Sequence, residues 1–221
     1  HHDEVMLAQL KQLSRDELEL LSASSVLRNN FTAADLDHML PEQTAAHIDQ
    51  QLDALQQRGL LEKREIADWH DRPNAPKESL AQIWYRFASI DVAASVYNRI
   101  PTDKRRLLHD RAADTLSKRS SYRHWDWINH ILRGRDSHQA VSVAYLEGMQ
   151  AISRGSWRKA INLLARGYVR VENSKSEFAA KLAIGLGRCF IELESFERAH
   201  EWLSLAATSV GNKPFSTIAL D

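Results

Sequence analysis

Histidine can take part in more kinds of chemistry than the other residues of this chain, because imidazole can serve as a metal ligand and as a general base near neutral pH. The sequence contains ten histidines. His124 and His130 lie six positions apart, and His138 follows eight positions later. A metal-binding pair on one helical face needs a spacing of about three or four. The single cysteine, Cys189, adds no second thiolate. We therefore predict no metal site.

Motifs for phosphate binding and for nucleophilic catalysis are also missing from the sequence. No G-x-x-x-x-G-K-S/T segment occurs, and the pair Gly185 and Gly187 lies inside a helical run instead of between a strand and a helix. No G-x-S-x-G segment presents a serine nucleophile, and Ser24 lies on a predicted helix. We predict that this chain is not an enzyme and that it holds no cofactor of its own.

The composition is typical of a globular protein without a general attraction to polyanions. The 221 residues include 29 basic and 29 acidic side chains, and 43% are hydrophobic. No apolar run approaches the ~18 residues of a membrane span, and no signal peptide is recognisable. The lone cysteine allows no internal disulfide and favours a reducing compartment. We expect a cytoplasmic location and no membrane contact.

The balanced charge is unevenly distributed along the chain. Residues 1–98 contain nine basic and sixteen acidic side chains, whereas residues 99–135 contain ten basic and four acidic ones. Two interpretations stay open at this point. In one, the acidic and basic blocks pair with each other across a domain junction; in the other, the basic block forms a face for an anionic partner.

The elements of the first hundred residues follow the outline of a winged helix. Three helices are predicted from the N-cap residues Ser14, Thr32 and Thr44, the first two with an acidic residue three positions later. Gly59 has the position of a left-handed C-cap. Two strands are predicted next, at 60–64 and 83–87, on either side of a polar segment, 68–77. The inward side of the first helix is predicted to contain Leu18, Leu21, Ser25 and Val26.

From Ile90 onward the sequence predicts only helices, so the fold class is mainly α. Helices are expected at 90–99, 102–118 and 122–132, followed by four more. We predict three parts: a winged-helix domain over 3–100, a helical connector over 101–135 and a helical repeat array over 136–221.

The last four predicted helices form two repeats with a period of 39 residues. Small and aromatic residues recur at this offset: Gly148 and Gly187, Trp157 and Phe196, Ala160 and Ala199, Leu164 and Leu203. The small residues allow two helices to approach closely. The pattern is similar to a tetratricopeptide repeat, whose period is about 34 residues. An ordinary pair of helical hairpins is the alternative.

Repeat geometry predicts which side chains line the groove of such an array. They are Ser142, Tyr145, Met149 and Ile152 in the first repeat, and Lys181, Ile184, Arg188 and Glu192 in the second. We predict that a protein or a small-molecule effector binds there. A plain scaffold surface, or contact with a further repeat, is the other interpretation of these positions.

The third predicted helix, TAAHIDQQLDALQQR, corresponds to the DNA-reading helix of a winged helix. Its only basic residue, Arg58, is the last one, and Asp49 and Asp53 would repel phosphates. The sequence therefore disfavours direct DNA binding. A DNA-binding module that uses the winged helix and the basic block around Arg105 and Arg106 is kept as the alternative function.

Several motifs, in this order, resemble the winged-helix and repeat arm of STAND-class signal-transduction ATPases, which include the large ATP-binding LuxR-type transcription regulators. The resemblance extends over residues 14–210. It rests on LLSASSV at 20–26, on Leu52, Leu55 and GLL at 59–61, on YRF at 85–87 with Tyr97, on RRLLHDRAADTL at 105–116, and on the two repeats.

The resemblance implies a regulatory, protein-interaction role in signal transduction or transcription regulation. The winged helix would dock on an ATPase domain of the same parent chain, and the repeats would receive the effector. ATP or ADP would then bind to a missing upstream domain. On this interpretation the chain is a fragment with a truncated array, and His1-His2 is a tag remnant. Ser89 stands where relatives commonly carry a nucleotide-facing histidine.

Overall fold

A computed structural model of the chain describes residues 10–28, 30–66, 82–118, 124–171 and 176–210. The fold is mainly helical with one small antiparallel sheet of two strands. The chain divides into two compact units, His1–Arg123 and His124–Asp221. The predicted polar segment at 68–77 and the predicted repeat link at 172–175 lie outside the described residues.

The first unit begins with a 3-10 turn at Leu10–Gln12. Its elements are α1 (Arg15–Leu27), α2 (Ala33–Met39), α3 (Ala45–Gln57), β1 (Leu61–Ile66), β2 (Gln82–Phe87), α4 (Ile90–Arg99) and α5 (Thr102–Ser117). The predicted connector over 101–135 extends into both units, because α5 belongs to the first unit and the next helix belongs to the second.

The predicted helix caps are confirmed. Ser14 Oγ accepts a hydrogen bond from the Glu17 backbone N–H at 3.1 Å, and the Glu17 carboxylate accepts one from the Ser14 N–H at 2.8 Å. Thr32 and Asp35 form the same reciprocal pair before α2, at 3.2 and 2.7 Å. Each pair satisfies two backbone donors that would otherwise lack partners at a helix start. Gly59 has φ of 72°, the left-handed conformation expected after α3.

A short extended segment joins the two-stranded sheet. Strands β1 and β2 pair antiparallel with Leu61 opposite Phe87. Phe31, which lies between α1 and α2, pairs with Tyr85 of β2 through two backbone hydrogen bonds of 3.0 and 2.8 Å. The sheet is therefore tied directly to the turn between the first two helices.

The core of the first unit is formed by the inward faces of the helices and the sheet. Its largest fully buried side chains include Leu20, Leu21, Phe31, Leu36, Met39, Ile48, Leu52, Leu55 and Leu60. The prediction that Leu18 lies inward is wrong: this side chain is 39% exposed. Leu20 is fully buried in its place, because α1 is rotated so that the face of Leu20, Leu21 and Ser24 contacts the core.

The RRLLH segment at 105–109 connects α5 to α4 through contacts of Arg105 and His109 on either side of Pro101. The hydroxyl of Tyr97 lies 2.9 Å from Nε2 of His109, which is 1% exposed. The Arg105 guanidinium stacks over the Tyr97 ring at 4.9 Å and donates to the Ile100 carbonyl oxygen at 2.8 Å. These contacts hold the turn between α4 and α5 in place.

The second unit contains five helices within its described residues. They are α6 (His124–Ile131), α7 (Ser137–Ser153), α8 (Trp157–Tyr168), α9 (Glu177–Glu192) and α10 (Phe196–Val210). Helix α6 is fastened to the rest of the unit by polar contacts. Arg166 of α8 donates to Asn129 at 2.8 Å, and Arg170 donates to the carbonyl oxygens of Leu132 and Gly134 at 3.0 Å each.

The 39-residue repeat is also present in the geometry of the two helical hairpins. A Cβ atom added to Gly148 would lie 2.5 Å from Cδ2 of Leu164, and one added to Gly187 would lie 2.7 Å from Cδ2 of Leu203. Gly155 and Glu194, again 39 positions apart, both have positive φ, 67° and 57°. The same helix-to-helix contact and the same turn therefore occur twice.

Candidate functional site

The predicted groove residues lie on α7 and α9, the first helices of the two hairpins. Both helices start from a capped end. Asp136 accepts a hydrogen bond from the Gln139 N–H at 2.9 Å, and Ser176 accepts one from the Ala179 N–H at 3.2 Å. Side chains spaced by three or four positions on each helix then form one stripe.

An aromatic cluster connects these two stripes. The Phe178 ring of α9 makes edge contacts with Tyr145, at 6.5 Å between ring centroids, and with His138, at 6.2 Å. Phe178 remains 37% exposed and His138 is exposed. The sequence prediction missed both residues. Extending each predicted stripe by one helical turn toward its N-terminus would have found them, since His138 is four before Ser142 and Phe178 is three before Lys181.

Two of the predicted groove residues are part of the hydrophobic core of the unit. Tyr145 is 7% exposed, and its hydroxyl has no hydrogen-bond partner in the described part of the chain. Ile152 is 3% exposed. Its Cδ1 lies 3.9 Å from the position of a Cβ atom built on Gly185 of α9. An effector could reach these two side chains only if the helices moved.

The other predicted residues are accessible to different degrees. Ser142, Met149 and Ile184 are half-buried, whereas Arg188 and Glu192 are exposed. Lys181 forms an ion pair with Glu177, one turn earlier on α9, with 3.0 Å between Nζ and Oε1. The accessible part of this surface is therefore mixed: an apolar middle from Met149 and Ile184, with charged groups on α9.

Cys189 lies on the buried side of α9. Burial is the main cause that raises the pKa of its thiol to about 11; the nearby Arg188 guanidinium partly opposes this rise, and the Glu192 carboxylate contributes slightly to it. A thiol with this pKa stays protonated at neutral pH and is a poor nucleophile. Its position agrees with a packing role in the helix pair.

Ser89 ends β2 and begins α4. Its hydroxyl accepts a hydrogen bond from the Asp91 backbone N–H at 3.2 Å, as an N-cap residue does. The side chain is half-buried. The capping geometry is a sufficient local reason for a serine at this position.

The helix α3, which the sequence analysis matched to the DNA-reading helix of a winged helix, exposes acidic side chains. Asp49 and Asp53 are both exposed on this helix. Their charges reach Tyr85 of β2: burial raises the pKa of this phenol above its usual range, and both carboxylates raise it further. The negative potential on this side of the first unit would repel a phosphate backbone.

Within the described residues, no group of three or more histidine, cysteine, aspartate or glutamate side chains is arranged to hold a metal ion. In the same part of the chain, no helix combines the length and the apolar character needed to cross a bilayer. Comparisons of the chain with protein-family models, with curated proteins and with solved structures found no significant match.

Proposed function

We propose that this chain is a regulatory and protein-interaction module of a STAND-type ATPase signalling protein or transcription regulator. A winged helix in the first unit would act on an ATPase domain of the parent protein. Tetratricopeptide-like hairpins in the second unit would receive a protein or a small-molecule effector. The observation that carries the proposal is the twice-repeated hairpin, because such hairpins are typical of binding scaffolds.

The order of elements in the first unit supports the winged-helix part of the proposal. Three capped helices precede an antiparallel pair of strands, and the Phe31 segment between α1 and α2 pairs with β2. An extended segment between the first two helices that joins the ribbon is what a winged helix requires. The acidic face of α3 favours contact with a protein domain over contact with DNA.

The surface on α7 and α9 supports the effector part. It combines a half-exposed aromatic ring, Phe178, with half-buried Met149 and Ile184 and with the exposed charges of Arg188 and Glu192. Aromatic and methionine side chains with a charged rim are the composition found in partner interfaces. An effector would bias the parent protein only if it bound its two states with different affinity.

The proposal is tested by ATP hydrolysis, measured on this chain alone and on the whole protein that its gene encodes. The isolated chain should hydrolyse no ATP, whereas the whole protein should hydrolyse ATP and respond to an effector. Since the effector is unidentified, the probe is a cell extract of the source organism, separated into small-molecule and macromolecular fractions. Turnover by the isolated chain that survives repurification, or a gene without an ATPase domain, would contradict the proposal.

Charge reversal locates the response on the candidate surface. The double variant Arg188→Glu/Glu192→Lys keeps the net charge but should reduce stimulation of the whole protein at least several-fold, because it inverts the charges of the two exposed groove residues of α9. Its unstimulated rate should not change. Glu201→Lys, an exposed position on α10, is the matched control and should respond like the wild type. Equal stimulation of all three proteins would contradict the placement of the effector site on α9.

A further inference from the structure

A cavity of about 510 Å³ lies in the first unit. It is formed by α1, by the turn from α4 to α5, and by the 3-10 turn at Leu10–Gln12. Cavities that bind small molecules commonly have volumes of roughly 300–1,000 Å³. The volume is therefore sufficient for a ligand larger than a few water molecules.

One wall of this cavity is apolar. Leu18 of α1 faces Val96 of α4 and Ile100 of the following turn, and Leu10 and Pro101 extend the same wall. Leu18 is the side chain whose exposure contradicted the sequence prediction, with 39% of its surface accessible. Covering an exposed leucine beside other apolar side chains removes apolar surface from water, which contributes favourably to the free energy of ligand binding.

The polar part of the cavity is cationic. Arg15, Arg99 and Lys104 line it, and Glu19 is the one acidic residue among the described residues that line it. Glu19 is already paired with Lys104, with 2.6 Å between Oε1 and Nζ. Arg15 and Arg99 are exposed, and neither forms an ion pair or a side-chain hydrogen bond within the described part of the chain. Among the described residues, two positive charges beside an apolar wall thus have no ion-pair partner.

We propose that this cavity binds a small amphipathic anion, a molecule with an apolar body and a carboxylate or a similar charged group. The body would cover Leu18, Val96 and Ile100, and the anionic group would receive hydrogen bonds from the guanidinium groups of Arg15 and Arg99. Guanidinium groups bind carboxylates through two parallel N–H donors, which gives orientation as well as affinity. A cation of the same shape would be repelled, and a neutral molecule would lose the charge-assisted bonds.

Decanoate, decanol and decyltrimethylammonium are suitable probes, because they share an apolar chain and differ in charge. Binding to the whole 221-residue chain is measured by calorimetry and by nuclear magnetic resonance, at concentrations at which the probes remain monomeric. Decanoate should bind with one site per chain, raise the melting temperature, and shift the signals of Val96 and Ile100. Decanol should bind more weakly, and the ammonium compound should not bind.

Two variants test the charged and the apolar parts separately. Arg15→Gln/Arg99→Gln should weaken decanoate binding about tenfold or more, the change expected when charge-assisted hydrogen bonds are lost, and should not alter decanol binding. Arg106→Gln is the matched control, since Arg106 is exposed on α5 and does not line the cavity. Ser22→Phe should fill the cavity from α1 and abolish binding of both decanoate and decanol.

Three results on the wild-type chain would overturn the proposal. They are the absence of decanoate binding, equal binding of the three probes, or signal shifts confined to the second unit. Equal loss of affinity in Arg106→Gln and in the double arginine variant would also overturn it. An acidic peptide that binds at Val96 when decanoate does not would assign the cavity to a protein segment instead.

Discussion

At the scale of single residues, Cys189 shows how burial decides reactivity. Its thiol is fully buried and its pKa is raised to about 11, first by that burial. At pH 8 only about one thiol in a thousand would be ionised, and the thiolate is the reactive form. We expect Ellman's reagent to label the native chain very slowly and the denatured chain with one equivalent. The variant Ser153→Cys, exposed on α7, should add one rapidly reacting thiol; rapid labelling of native Cys189 would contradict its buried position.

The contact between Arg111 and Glu42 should give a small pH-dependent contribution to stability. Arg111 donates to the Glu42 carboxylate at 2.8 Å and to the Met39 carbonyl oxygen at 2.8 Å. The hydrogen bond from Arg111 is the main cause that lowers the pKa of Glu42 in the folded state. Because the folded pKa lies below the unfolded one, the contribution is present above about pH 5 and is lost as the pH falls below about 4.

Denaturant unfolding of Glu42→Gln across this pH range measures the contribution. The variant should be less stable than the wild type above about pH 5, by no more than about 1 kcal/mol because the carboxylate is largely exposed. The two proteins should converge at lower pH. Asp37→Asn changes an exposed carboxylate of α2 that has no cation partner among the described residues, and it should not reproduce the difference. A pH-independent gap for Glu42→Gln would contradict the assignment.

Residues that act through local backbone chemistry could be predicted from the sequence. Ser14, Thr32 and Gly59 have the cap positions expected of them, since capping depends only on neighbouring residues. Two residues show what sequence reasoning misses. The rotation of α1 that exposes Leu18 is set by tertiary contacts, and Glu194 adopts a left-handed conformation without being a glycine.

At the scale of elements, the helices of the second unit approach closely at glycines. A methyl group added at Gly167 should destabilise the unit more than one added at Gly185. A Cβ atom on Gly167 would lie 2.5 Å from Cβ of Ala144, which cannot rotate away from it. One on Gly185 would lie 2.9 Å from Cδ1 of Leu164, the end of a flexible side chain. We expect Gly167→Ala to destabilise the chain by roughly 1–3 kcal/mol, the usual cost of overpacking, and Gly185→Ala to cost clearly less.

Thermal or denaturant unfolding of the two variants provides the measurement. Alanine improves helix propensity by about 1 kcal/mol in a helix interior, as at Gly185, and by less at Gly167, which lies one residue before the end of α8. Gly148→Ala offers an internal check, because its added methyl group would lie 2.5 Å from Leu164 Cδ2. Combining it with Leu164→Ala should cost less than the sum of the two single changes. Additive effects, or equal stability of Gly167→Ala and Gly185→Ala, would contradict the described helix contacts.

The candidate surface on α7 and α9 could be predicted only in part, because the burial of its side chains depends on how closely the helices pack. Repeat geometry identified the helices and the stripes, because the 39-residue period is visible in Gly148, Gly187 and their leucine partners. It could not indicate how deeply each side chain is buried. Tyr145 is buried and contacts Phe178 of the neighbouring hairpin, and that contact depends on how closely α7 and α9 approach.

At the scale of the whole molecule, ion pairs within the first unit explain part of the uneven charge distribution along the sequence. Lys104 and Arg111, from the basic stretch, pair with Glu19 and Glu42, from the acidic one. These pairs support the interpretation in which the two blocks compensate each other, at least for these four residues. Arg99 remains without a partner in the described part of the chain and lines the cavity beside α1.

The same charge distribution predicts that the chain does not bind duplex DNA. Asp49 and Asp53 are exposed on the helix that would enter a groove, and phosphate repulsion grows as salt is lowered. We expect fluorescence anisotropy with a labelled duplex to show no binding at low salt, where electrostatic attraction is strongest. The variant Asp49→Lys/Asp53→Lys should gain weak, salt-sensitive binding, since it replaces two repulsive charges with attractive ones. Binding by the wild type at low micromolar concentration that weakens steeply with salt would instead support the DNA-binding alternative, and loss of that binding in Arg105→Gln/Arg106→Gln would place it on α5.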